Sequence, residues 1–436
     1  MKSRKLGRRR SQRQGPHLVR GLAVLEVHHV KRPIVALCFS QVLSVVGGRF
    51  IELGIPWLLL ATNHRVDSTA IMAIVPLVTA MSALPIGRWA QRKHSPQMPS
   101  QAELLQGAIF LTLVVLMVTG ALGPIAVPGL VIALTLVAIF GTVTRITLTP
   151  QIRSVFGRDA MIRVSNYLEG SDALGTIIGP VLAGLVFSTW GGKGIFGLLV
   201  ILFLGSGVGL RILGGHHADT NVRSLRDAEP VRLFESLRML IAPPLFTLSV
   251  IDWLANFVSI AVVLDMVLII ARHLHLPDMA TGVAFTLAGI ANFMVVAILD
   301  RLQYSRHFHP VKTLFIASGV SALGSLMLLT SGTYYGLAMG YVVLDGGMAG
   351  VFVMSGAMRN MVTPTDKIVA MRTGITFSNQ VVRAIGSLLP GLLFAWWHGR
   401  ILLGMIALCG LALLALVWYG RSALSEIIIK TGATQQ

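Results

Sequence analysis

Ser165-Asn166-Tyr167-Leu168-Glu169-Gly170-Ser171-Asp172-Ala173-Leu174-Gly175-Thr176-Ile177-Ile178-Gly179-Pro180-Val181-Leu182-Ala183-Gly184 follows a basic, polar loop and then stays apolar through Phe187. Its small residues recur at 166/170, 171/175, 175/179 and 179/183, the spacing that lets a second helix approach closely inside a membrane. Pro180 removes a backbone N–H, which lipid permits only where neighbouring helices or water satisfy the freed carbonyl. Glu169 and Asp172 are three residues apart and share one face at the helix entrance. Two readings stand: a helix lining a cavity in a polytopic membrane protein, or a well-packed membrane helix with no part in a pathway.

Composition decides the setting. The 436 residues are 54% hydrophobic and only 12% charged, about half the charge of a soluble domain. Apolar runs of ~20 residues, enough to span a bilayer, recur along the whole chain. The net charge of +18 is concentrated, with ten of the 36 Lys and Arg before Pro33. That tail lacks interleaved aromatics, so it reads as a topological anchor touching anionic lipid, with no nucleic-acid partner expected. Gly21–Val27 is too short for a signal peptide and contains Glu26. Cys38 and Cys409 both fall in apolar runs and predict buried free thiols.

Hydropathy and turn residues predict an all-α integral membrane protein with twelve spans. They lie near 33–62, 68–90, 103–121, 125–148, 161–189 and 194–213, then 243–271, 278–299, 311–331, 334–358, 366–397 and 400–420. The expected organisation is a basic tail (1–32), a six-helix bundle (33–213), a polar connector (214–242), a second six-helix bundle (243–421) and a C-terminal tail (422–436). Residues 231–241 have helical spacing and are expected along the membrane surface. With the N-terminus inside, the outer loops hold only Arg65, Lys193, Arg272 and Arg400, so both termini are expected in the cytoplasm. The halves also echo each other: Ala173-Leu174-Gly175 with Pro180 matches Ala384-Ile385-Gly386 with Pro390. Parallel six-helix repeats with a site between them are one recognised transporter plan.

At these residues the chain resembles the major facilitator superfamily, and within it the macrolide-efflux-like branch of drug exporters. Gln41-x-x-Ser44-x-x-Gly47 with Pro56-Trp57 is similar to that branch's first helix, and Arg145 followed by Pro150 to its fourth. Ser165-Asn166 through Gly175, Gly179-Pro180 and Gly184 resembles the antiporter-type motif of the fifth helix. The resemblance covers about residues 33–420. It implies two bundles rocking about a central cavity in a bacterial cell membrane, with a small-molecule substrate, protons as coupling ion, and a monomer in the bilayer. One departure stands out. The loop after the second helix, Gly87-Arg88-Trp89-Ala90-Gln91-Arg92, carries Gln91 where the family's gating loop has an acid. Asp300-Arg301 keeps the matching pair in the second half, although Val296 replaces the expected Gly. Either that loop carries the latch or Gln91 weakens it.

Ionisable groups inside spans cost ~2.5–3.5 kcal/mol each on insertion scales and are default functional candidates. The candidates are Arg49, Glu52, Arg145, Glu169, Asp172, Asp252, Asp265, Asp345 and Arg383. Arg49 and Glu52 are placed to pair on one face. That pair is either structural or, as the resemblance implies, a proton carrier with its charge partner. Asp265, in the most apolar setting of any acid here, is the second candidate for the proton step. Asp345 and Arg383 are a possible pair across the tenth and eleventh spans. Gln41, Trp57, Asn166, Trp253, Asn256, Asn292, Asn379 and Gln380 are candidate substrate contacts. No phosphate-binding G-x-x-x-x-G-K-[ST], H-E-x-x-H or nucleophile elbow occurs, so no enzyme, cofactor or metal chemistry is expected. The leading reading is proton-coupled export of an amphipathic small molecule. A siderophore or metabolite exporter, an importer and a transport-inactive scaffold or sensor are the alternatives.

Overall fold

The computed structural model describes residues 32–51, 68–92, 95–121, 126–157, 160–215, 232–243, 245–276, 278–302, 308–364, 366–397 and 400–433, and their regular structure is entirely helical. The helices are α1 (Arg32–Ile51), α2 (Ser68–Arg92), α3 (Met98–Val118), α4 (Ala126–Phe156), α5 (Met161–Gly214) and α6 (Leu233–Ile241). They continue with α7 (Leu245–Leu268), α8 (Asp278–Leu302), α9 (Pro310–Thr330), α10 (Tyr334–Val362), α11 (Ile368–Trp397) and α12 (Arg400–Ala433). A π-helical turn, Ile269–His273, extends α7. Pro99 and Pro310 open α3 and α9, where a missing N–H costs nothing. Thr333 caps α10 by accepting from the Gly336 N–H at 3.3 Å.

Among the described residues, nine helical stretches are long and apolar enough to cross a membrane. The chain is a multi-pass membrane protein. The other expected spans, 68–90, 161–189 and 366–397, are helical too but fall outside that apolar set. Two of them carry interior charge, Glu169 and Asp172 in one and Arg372 and Arg383 in the other. α12 runs on to Ala433, well past the expected end of its span at 420.

α5 is helical over 54 residues, which as a straight rod would measure ~80 Å and overshoot a ~30 Å hydrocarbon core. It folds back instead. A methyl at Gly179 would lie 2.8 Å from Arg49 Cβ, and one at Gly205 would lie 2.8 Å from Leu43 Cδ1. Those α1 residues are six positions apart, ~9 Å of rise, whereas 179 and 205 would be separated by ~39 Å in a straight helix. Reversal near Gly191-Gly192 gives the two antiparallel spans that hydropathy predicts. The small-residue face does admit close neighbours: Gly175 meets Val45 of α1, and Gly170 meets Val296 of α8 at 3.1 Å.

One buried cluster is built within 46–203 around Phe50, Phe110 and Phe196, and another within 248–424 around Met266, Tyr341 and Leu413. A third joins the two halves, packing Ile86 of α2 and Ile146 of α4 against Leu240 of α6 and Met371 of α11. It lies at the end of the bundle where α2, α4 and α10 finish and α3, α5 and α11 begin, called here the basic end for its Arg88, Arg92, Arg163 and Arg301. α6 is amphipathic as expected, with Phe234 exposed and Ser236 and Leu240 buried. More than lying on a surface, it docks: a methyl at Gly374 of α11 would sit 2.9 Å from the Ser236 carbonyl.

Candidate functional site

Halfway along the helices, charges from both halves converge. Arg49 of α1 pairs with Asp172 of α5 at 3.6 Å, both side chains remaining partly accessible. Glu169, one turn before Asp172, and Asp345 of α10 lie within electrostatic range of Arg49 and Asp172. Asn292 of α8 donates from Nδ2 to Asp345 Oδ2 at 2.8 Å, while its own buried Oδ1 meets no donor. The helical register explains the arrangement. Gly175 and Gly179 bring the α5 backbone against α1, so Arg49 reaches the face that carries Asp172 and Glu169. Among the described residues three carboxyls stand within electrostatic range of this one guanidinium, a cluster that can take up protons or a cationic group.

A second set sits towards the basic end. Asp252 of α7 and Arg359 of α10 form a buried ion pair. Ser355 donates to Asp252 Oδ1 at 2.7 Å. Arg372 of α11 donates from Nε to Thr149 Oγ1 of α4 at 2.7 Å, within range of Arg359, Asp252 and Arg145. Arg153 of α4, 6% exposed, donates across the halves to the α10 carbonyls of Thr363 at 2.9 Å and Asn360 at 3.4 Å. A cation at the C-terminus of a helix meets unsatisfied carbonyls and the negative end of its dipole. Asn166 of α5 donates to Asp300 Oδ1 of α8 at 3.3 Å. Gly87 of α2 lies so close to Thr373 of α11 that a Cβ would collide with it. Among the described residues, the polar bridges between the halves concentrate at this end, so the conformation is closed there.

The structure redistributes several expected roles. Glu52 and Trp57 lie outside the described residues, and Arg49 pairs with Asp172. Asp345 bonds Asn292 and faces the Arg49 charge, and Arg383 is half-buried on α11. Asn166 takes part in the closed end through its bond to Asp300. Asn256 bonds the Asp252 carbonyl of its own helix at 2.9 Å. Trp253 donates to Ser378 Oγ at 2.9 Å. Gln41 and Asn379 are half-buried, and Gln380 is buried. Gln91 is buried beside the Gly87 contact, whereas Arg92 and Arg301 are exposed. Pro180 and Gly184 stay within the helical run of α5. Asp265 is fully buried, and among the described residues neither carboxylate oxygen has a hydrogen-bond partner.

Four interior charges escape a hydropathy reading: Glu103, Arg153, Arg359 and Arg372. Glu103 and Arg372 stand in the first turns of their spans, and Arg153 and Arg359 just past the predicted ends at 148 and 358. The helices α4 and α10 in fact continue to Phe156 and Val362, which draws those residues inside.

The sequence model of the Major Facilitator Superfamily matches residues 37–329. No curated protein sequence matches the chain. In fold it is similar to a bacterial homologue of the iron transporter ferroportin in an outward-facing state, with TM-score 0.71, 16% identity, and 89% of this chain and 99% of that one covered. The human organic anion transporter MFSD10 (TETRAN) is similar at TM-score 0.66 and 12% identity, covering 89% of this chain and 99% of its own. The proton:xylose symporter XylE is similar at TM-score 0.66 and 11% identity, over 90% and 96%. At these identities the likeness establishes the fold alone.

Proposed function

Because this chain belongs to the Major Facilitator Superfamily, we propose that it is a proton-coupled exporter of cationic amphipathic molecules working by alternating access. The two bundles, 33–213 and 243–421, are the moving bodies, a division supported by their separate buried cores. If the basic loops face the cytoplasm, closure at the basic end makes this the outward-facing conformation. The observation that carries the reading is the Arg49–Asp172 pair at 3.6 Å with Asp345 of the opposite half in its field. One guanidinium is shared by carboxyls from both halves, so its preferred partner changes as the halves rock. A cationic solute or protons would be taken up by this cluster in turn, which is the exchange an antiporter requires.

Equilibrium binding of a fluorescent lipophilic cation to purified protein tests the proposal. Saturable binding, weakened about tenfold in Asp172→Asn and in Asp345→Asn, is the expected result. Equal affinity for an anionic analogue, or no change in either variant, would overturn it.

A further inference from the structure

Glu103 of α3 lies away from the central charges and is 1% exposed. Around it stand only neutral oxygen and nitrogen donors from four helices of the first half: Ser44 of α1, Gln106 of α3, Thr144 of α4 and Ser206 of the second arm of α5. Ser44 Oγ donates to Glu103 Oε1 at 3.3 Å, and Gln106 Nε2 reaches the same oxygen at 3.4 Å. Among the described residues no donor meets the other oxygen, Oε2, in good hydrogen-bond geometry, although the Thr144 and Ser206 hydroxyls stand beside the carboxyl group. Both contacts are long for bonds to a carboxylate, where ~2.5–2.9 Å is usual. Among the described residues no basic side chain is placed as a charge partner for Glu103.

We propose that Glu103, the hydroxyls of Ser44, Thr144 and Ser206, and the Gln106 side-chain amide form a binding site for a small monovalent cation of the Na⁺ class. Hydroxyl, amide and carboxylate oxygens are the ligands that hard cations select. One carboxylate balances one positive charge, whereas a divalent ion calls for several. Space for entry exists: a Cβ at Gly48, one turn from Ser44 on the same face of α1, would meet nothing within 4 Å. At Gly141 the same test meets only Gln106 Oε1, at 3.7 Å. Ser44 and Arg49 share α1, so an ion bound at Glu103 acts on the helix that holds the central guanidinium. This site goes beyond the proposed export cycle and stands or falls independently of it.

The test is ²²Na⁺ binding to the purified full chain, with thermal unfolding in Na⁺, K⁺, Ca²⁺ and choline at fixed ionic strength and pH. Saturable ²²Na⁺ binding and a Na⁺-selective rise in Tm are expected. Both should be lost in Glu103→Gln, and binding weakened at least tenfold in Ser206→Ala, a variant that leaves the carboxylate in place. Identical Tm in every salt, a response confined to Ca²⁺, or ²²Na⁺ binding that survives Glu103→Gln would each overturn the assignment. So would stabilisation by acid alone with no cation effect, which would make Glu103 a proton site.

Discussion

Removing the Arg153 side chain should open the basic end. Arg153 is 6% exposed, so water offers little compensation for lost partners. It bridges the halves through the Thr363 carbonyl at 2.9 Å and, more weakly, the Asn360 carbonyl at 3.4 Å. A hydrogen bond to a charged group is worth ~1.5–3 kcal/mol, and the longer contact adds little. Taking ~2 kcal/mol for the pair, Arg153→Ala shifts the equilibrium between closed and open basic ends by roughly 30-fold, at 1.4 kcal/mol per tenfold. Spin labels at the exposed positions Arg92 and Lys367, in a Cys38→Ser, Cys409→Ser background, would report the separation of the halves there by electron–electron distance measurement. The variant should show a population at longer distance that is minor in the parent. Arg421→Ala is the control, since Arg421 stacks on Trp418 within α12, 3.6 Å from its ring centroid, and should leave the distribution unchanged. An unaltered distribution in Arg153→Ala would refute the assignment of this contact as a latch.

Breaking the buried Asp252–Arg359 pair from one side, with Arg359→Met, strands a carboxylate and should cost ~3–5 kcal/mol; a lowered Tm that Asp252→Asn partly restores is the expected signature. Gly175→Leu would drive a side chain into Val45 and separate α1 from α5, destabilising by ~1–3 kcal/mol. Its Tm should fall, and its affinity for the lipophilic cation should fall with it. Asn166→Ala removes a single, long 3.3 Å bond to the Asp300 carboxylate and should widen the Arg92–Lys367 distances less than Arg153→Ala, by a few-fold in population.

Much of this architecture is legible in the sequence because membrane burial imposes simple rules. Apolar runs mark the helices, and Gly191-Gly192 marks the reversal that helical hydrogen bonding alone conceals in α5. The four-residue spacing of Gly175 and Gly179 announces the close approach to α1. The interior acids Glu169, Asp172 and Asp345 stand out because lipid makes them expensive. Which charge meets which partner is another matter, since it depends on distances across helices. Arg49 pairs with Asp172 of α5, a partner that no sequence spacing announces. Asp345 bonds Asn292 on α8, because the register of α8 against α10 places that amide opposite. Asn166 meets Asp300 only because α8 packs beside α5. Arg153 and Arg359 look like loop residues because hydropathy falls before a helix ends. The same polar final turns that blur the boundary build the contacts between the halves.

Proton movement driven by substrate tests the export cycle most directly. Protein in liposomes carrying a pH dye, under an imposed proton gradient, would be challenged with cationic amphiphiles, macrolides and catecholate siderophores. A cationic amphiphile should drive proton flux in the parent protein and none in Asp345→Asn. Folded protein that moves no protons with any of these solutes, or an Asp345→Asn variant with undiminished flux, would contradict the account.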